Sequence, residues 1–309
     1  MKLSHSIRKR FTKDYNLPVQ VVQDPYFDYY LNTLNPHFDT ISKLKLLTEA
    51  VETLGGEGEF FNEAERIRGK IVNAIQETKE YSQLSQPTKF ELLNHIVQKN
   101  VYTLENVDKT FISIDLKQAN FTAFKFYSSN LVLNQATYED LIGSVTDLDY
   151  FKKSKYIRQV IFGNLMPKKQ QQIQQYLMDH VVSVLNQNAG IDIKSFISAS
   201  ADEVVFSVEM EKVEETISPI KEKLSNGENG YTLAIFDALK INAFKLNSIG
   251  NKSFFVKESL LDNTVDFKGI PSFLFMQAYK RYTNQPLEDK DLIFFHEGYL
   301  STFKQFVFD

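Results

Sequence analysis

The chain has 309 residues, 43% hydrophobic and 24% charged, enough to bury a substantial core in one large or two modest domains. It contains no cysteine, which excludes disulfides, cysteine-ligated zinc, iron–sulfur centres and thiol chemistry. A formal net charge of −4 gives no bulk attraction for nucleic acid, although a cleft can be basic inside an acidic protein.

Residues 1–22, with Lys2, Arg8, Lys9, Arg10 and Lys13, read as an exposed basic arm running into an extended Leu17-Pro18-Val19 segment. No apolar segment of signal-peptide type follows those basic residues, and no apolar run is long enough to span a membrane. The chain is therefore expected in the cytoplasm, with no membrane partner. Its 26 phenylalanines, lack of tryptophan and many Asn and Lys residues fit an AT-rich coding genome such as a phage's, which would make that the host cytoplasm.

Helical spacing runs from Tyr26 to Leu54 and stops at Gly55-Gly56. A second helix is expected from about Phe60 to Leu84, with Ile67, Ile71 and Ile75 on one side. Pro87 opens a third, carrying Phe90, Leu92, Leu93 and Ile96. Residues 1–104 are thus read as a helical block.

The pattern then changes. Thr110 to Leu116 is short and β-branched, so it reads as a strand, and a helix follows from Lys117. Short helices are expected between Leu131 and Tyr150 and from Asp149 to Ile161. Pro167 opens the clearest helix of the chain, whose stripe is Ile173, Tyr176, Leu177, His180, Val181, Val184 and Leu185. A hairpin follows, Ile191 to Ser200 and Glu203 to Val208, with Asp202 and Glu203 at its tip. After a helix over Val213 to Leu224, Ser225 to Gly230 is the best linker. Residues 226–309 mix strand-like pieces (Ala243 to Leu246, Ser253 to Val256, Leu292 to Phe295) with a helix near Phe273 to Tyr282.

Strands interleaved with helices predict an α+β fold, a small antiparallel sheet covered by helices on one face and preceded by the helical block. Charged residues are poor strand formers, so acids at strand ends invite a chemical reading. If Asp115 and Asp202 end neighbouring strands at one rim, their carboxylates converge and can hold divalent cations. Taken alone, Asp115 also reads as a helix N-cap, and Glu203 as a solvated turn residue. Lys155 and Arg158 also read as a solvated stripe, and Asn120 as an ordinary helix residue.

In chain order these blocks resemble motifs A, B and C of the family A polymerases, the group of bacterial DNA polymerase I and the single-subunit phage RNA polymerases. Ser113-Ile114-Asp115-Leu116-Lys117-Gln118-Ala119-Asn120 is similar to motif A. Arg158 before Phe162-Gly163 is similar to motif B. Ala201-Asp202-Glu203-Val204-Val205-Phe206-Ser207-Val208 is similar to motif C. The chain departs from the family at Ala201, where a His is usual, and at Met166-Pro167, where Tyr-Gly is usual. Arg158 and Asp202 stand only 44 residues apart, a short span for a fingers domain.

The resemblance implies a polymerase palm over 105–225 with a reduced fingers helix, the block 1–104 in the thumb position, and 226–309 as an accessory region. It implies a template-directed nucleotidyltransferase, a DNA or RNA polymerase or primase. Two Mg²⁺ (or Mn²⁺) ions would sit at Asp115 and Asp202, with Asp115, Asp202 and Glu203 as the catalytic acids. Lys155, Arg158, Phe162 and Asn120 would contact the nucleotide. The implied partners are a nucleic-acid primer and template, nucleoside triphosphates, and other replication or transcription proteins. Two rival readings use the same residues: a degenerate palm kept as a regulatory subunit that binds nucleic acid or a replication protein, and a metal-dependent nuclease.

Overall fold

The computed structural model describes residues 2–86, 90–94, 99–226, 230–250 and 253–308. The chain opens with a helix, not an arm: α1 spans His5–Asp14, with the Ser4 hydroxyl accepting from the Ile7 N–H. Ile7 and Phe11, one turn apart, are fully buried, and Leu17, Val19, Val21 and Val22 follow them into the core. Arg8 is held by the Asp24 carboxylate at 2.6 Å. The basic residues therefore mask an amphipathic segment that packs.

The helix expected over Tyr26 to Leu54 is two, α2 (Tyr26–Phe38) and α3 (Thr40–Leu54), parted at Asp39 with φ 46°. The next is also two, α4 (Glu57–Gln76) and α5 (Lys79–Leu84), the second capped by Thr78. Residues 90–94 form no helix, while Pro87 and Ile96 of the expected third helix lie outside the described residues.

Strand β1 spans Thr110–Leu116, as its β-branched run predicts. Then come α6 (Ala119–Tyr127), α7 (Tyr138–Gly143), α8 (Asp149–Lys153), α9 (Lys155–Gly163) and α10 (Pro167–Gln187). The hairpin is β2 (Phe196–Ala199) and β3 (Glu203–Val208). It is followed by α11 (Val213–Ser225), α12 (Gly230–Ile235), β4 (Leu239–Ser248), β5 (Phe255–Ser259) and β6 (Val265–Lys268). The chain closes with α13 (Phe275–Tyr282) and the hairpin β7 (Ile293–His296) and β8 (Tyr299–Thr302).

The main sheet has six strands in the order β2-β3-β1-β4-β5-β6, every neighbouring pair antiparallel. Its first four strands and the helices between them follow the β-α-β-β-α-β order of ferredoxin-like sheets. Alternation sets the two faces. Ile112, Ile114, Leu116, Val204 and Phe206 share one core with Phe121 and Phe124 of α6, Leu177 and Val181 of α10, and Ile217 of α11. Phe111, Val205, Phe244, Leu246 and Phe255 lie on the opposite face, where Val101 and Tyr102 cover one end. The α+β class, the helix-covered antiparallel sheet and the preceding helical block are as expected.

The expected boundaries do not divide the core. Ile7, Phe60 and Ile71 of the first block belong to the same core as the sheet, and so do Phe275 and Tyr279. The break drawn at 225/226 falls inside the sheet, because β4 pairs with β1 along the whole of β1. Of the linker expected over Ser225 to Gly230, residues 227–229 lie outside the described residues.

Candidate active site

The site begins with alternation along β1. With Ile112 and Ile114 turned to the helices, Ser113 and Asp115 face the other way. Asp115 stands opposite Glu203 of β3 on one side and Lys240 of β4 on the other. Ser113 stands opposite Asn242, and Lys257 of β5 opposite Asp266 of β6. These residues line a polar hollow of about 240 Å³ on the open face of the sheet.

The hairpin tip is tied down. The Ser200 hydroxyl accepts from the Glu203 N–H at 3.0 Å and donates to the Asp202 carboxylate at 3.1 Å. The Leu116 N–H donates to the Asp202 carbonyl at 2.8 Å, which joins the tip to the end of β1. The helix after β1 is not capped by Asp115. Gln118, with φ 49°, is the cap residue of α6, and its side chain makes no capping hydrogen bond. Asp115 therefore has no helix-capping duty.

The Asp115 carboxyl is pushed up to about 6, first by burial and then by the charges of Glu203 and Asp202, against the pull of Lys257 and Lys240. The charges of two other acids thus act on Asp115. The Lys257 ammonium answers part of that charge, 2.9 Å from Glu203 Oε1 and 3.2 Å from the Ser113 hydroxyl. It also lies 4.3 Å from the centre of the Phe244 ring, and its side chain is 14% exposed.

Asp115 and Glu203 supply hard oxygen donors, and Asp202 adds charge beside them. That donor chemistry suits Mg²⁺ or Mn²⁺. Among the described residues no three His, Asp or Glu side chains gather closely enough to hold a metal ion by themselves. Mg²⁺ commonly needs only one or two carboxylates when substrate phosphates complete its shell. Burial chiefly raises the Asp115 carboxyl, and the charges of Glu203 and Asp202 that add to it are what such an ion would neutralise, so the donor chemistry fits the ion.

The other expected contacts lie elsewhere. Phe162 is fully buried and meets Phe121 and Phe124 edge-on, so its ring offers no face to a base. The Arg158 guanidinium sits 5.4 Å from the centre of the Tyr138 ring. Asn120 accepts from Gln174 of α10 at 2.7 Å. Lys155 lines a different cleft, with Lys43 and Lys45 of α3. The cations that border the acids are Lys240, Lys257 and Lys268, from three strands beyond the expected palm. The signal for Lys257 was present in the alternation Phe255, Lys257, Ser259, which puts a lysine on the same side as a buried phenylalanine.

Because Lys257 holds the Asp115 carboxyl down, Lys257→Met should move the Asp115 titration midpoint above about 6. Carbon-detected NMR of the carboxyl measures it; a midpoint that stays or falls would remove Lys257 as counter-ion. In the unaltered protein the folded state binds the Asp115 proton more tightly than the unfolded chain does. Its contribution to stability is therefore fully present at acid pH and declines as pH rises through about 6.

No protein-family model, no curated protein and no solved structure matches this chain. Among the described residues no helix is long and apolar enough to cross a membrane.

Proposed function

We propose that the open face of the sheet is a nucleotidyl-transfer site, in which a 3′-hydroxyl attacks the α-phosphorus of a nucleoside triphosphate and pyrophosphate leaves. The observation that carries this reading is the convergence of Asp115 with the Asp202–Glu203 hairpin at one rim of an antiparallel sheet. Asp115 and Glu203, with Asp202 beside them, would hold Mg²⁺ or Mn²⁺. When bound, the ion supplies charge neutralisation and a more acidic hydroxyl. Lys240 and Lys268 line the same hollow, paired with Asp262 at 3.6 Å and with Asp266 at 2.6 Å, and would exchange those carboxylates for a triphosphate. Ser200 keeps the Asp202 carboxylate turned back to the tip, so that charge is in place before substrate arrives. Primer, template and triphosphates are the partners this chemistry requires.

A second reading is favoured by Lys257, which already neutralises Glu203, and by the buried Phe162: a palm-like subunit that binds nucleic acid or a replication protein without turnover. Both are tested by following Mn²⁺ binding by electron paramagnetic resonance and labelled nucleotide incorporation on a primed template. Ion binding with incorporation supports transfer. Nucleic-acid binding without incorporation supports the second reading. Cleavage of the strand in the absence of triphosphates would turn the site into a metal nuclease, and no ion binding at all would overturn the transfer reading.

A further inference from the structure

A second concave feature shares no lining residue with the acid hollow. It is a cleft of about 610 Å³ between α3 and the corner where α8 meets α9. Four lysines line it, Lys43 and Lys45 from α3 and Lys153 and Lys155 from the corner, against two carboxylates, Asp39 and Glu49. In a chain of net charge −4 this is a concentration of positive charge inside a concave wall, where field lines are focused.

The carboxylates do not use up the cations. Among the described residues Glu49 pairs only with Lys45, at 3.7 Å. Lys152 pairs with Asp149 at 3.0 Å, whereas Lys153 and Lys155 make no ion pair among the described residues. Lys43 is half-buried, and burial holds its ammonium below the usual range, with only the more distant charge of Asp39 opposing. Its ammonium donates to the Phe38 carbonyl at 2.5 Å and faces the Tyr15 ring at 5.6 Å. The hydroxyl of Tyr15, which also lines the cleft, is buried with no hydrogen-bond partner among the described residues. The cleft is rich in donors and poor in acceptors, and a half-buried cation without an ion-paired anion is costly to keep.

The corner that presents Lys153 and Lys155 is rigidly held. Ser154 between them is buried, caps α9 through the Ile157 N–H, and donates to Asp14 at 2.8 Å. Asp14 is in turn fixed by both of its oxygens on Arg10 at 3.0 Å and by the Tyr150 hydroxyl at 2.7 Å. This buried network has no part in the acid site, and it fixes the corner from which the two exposed lysines reach the cleft.

We propose that the cleft between α3 and the α8–α9 corner binds a phosphate chain, through Lys43 at its floor and Lys45, Lys153 and Lys155 at its rim. A nucleic-acid backbone and a free polyphosphate share that chemistry. The proposal does not rest on nucleotidyl transfer at Asp115.

The test is fluorescence anisotropy on the full chain with a labelled single-stranded oligonucleotide, and competition by inorganic tripolyphosphate and by a nucleoside triphosphate. The double variant Lys153→Glu/Lys155→Glu alters two exposed side chains and should leave the fold intact. It should weaken binding by about tenfold or more at low salt and lower the slope of log affinity against log salt by about 2. Lys43→Met should weaken binding with a smaller change of slope. Binding should persist in EDTA, which separates this cleft from the metal-dependent acid site. Strand binding displaced by tripolyphosphate assigns the backbone as source; tripolyphosphate and triphosphate binding without strand binding assigns the free polyphosphate. Failure of every probe to bind, or affinities in the double variant within twofold of the unaltered protein, would overturn the proposal.

Discussion

Asp115→Asn should reduce nucleotide incorporation by about 10²–10³-fold, the scale on which one preorganised electrostatic group acts at a reacting phosphate. The substitution keeps the shape and the β1 register, and it removes the charge on which two other acids converge. Asp202→Asn should follow the same direction. Glu203→Gln should do so less steeply, because Glu203 already spends part of its charge on Lys257. The pH dependence separates this reading from simple damage. Mn²⁺ held at Asp115 as proposed would have to displace its proton at pH values below about 6, so affinity should climb with pH through that value. In Asp115→Asn that climb should flatten. Incorporation and Mn²⁺ titrations on either side of that pH check both claims, and undiminished incorporation in the variant would remove Asp115 from the mechanism.

Lys280→Met should be the most destabilising single change in the C-terminal part, at about 3–5 kcal/mol, because it leaves a buried carboxylate without its cation. The Lys280 side chain is 3% exposed and lies 2.9 Å from Asp291, whose side chain is fully buried. The same ammonium donates to the Tyr29 hydroxyl at 2.6 Å, to the Pro286 carbonyl at 3.0 Å and to Glu288 at 3.1 Å. Tyr29 also donates to Asp291 at 3.0 Å, so one network fastens α2 to the segment ahead of β7. Burial first, and then Asp291, holds the Tyr29 hydroxyl well above its usual range, so it stays a donor. The paired change Lys280→Met/Asp291→Asn should recover at least half of the loss, since no charge is then stranded. Urea unfolding of the three proteins measures it. A single variant within about 1 kcal/mol of the unaltered protein would show that water reaches Asp291.

Much of the centre was legible. β1 and β3 announce themselves by β-branched runs, and α10 by its stripe and its opening proline. That the end of β1 lies beside the hairpin tip follows from a strand-end acid and an acidic turn. Register was not legible, because it depends on strands far apart in sequence: Glu203, not Asp202, stands opposite Asp115. The lysines of β4, β5 and β6 were hidden for the same reason. Phe162 was misplaced because motif spacing outweighed periodicity, for Ile157, Ile161 and Phe162 form the buried stripe of α9. In α1, likewise, the count of basic residues outweighed Ser4, Ile7 and Phe11, which spell a capped helix.

The pairing of β1 with β4 also governs when the acid face can exist. Thr110 pairs with Lys245, and Asp115 with Lys240, across more than a hundred intervening residues. Such contacts raise the mean sequence separation and place the chain among slow folders, because loop closure must come before the contacts reward it. During synthesis β1 waits as a partly unpaired strand until β4 emerges, and Lys257 reaches Glu203 later still. The acid face is therefore complete only once β4 and β5 have joined β1 and β3.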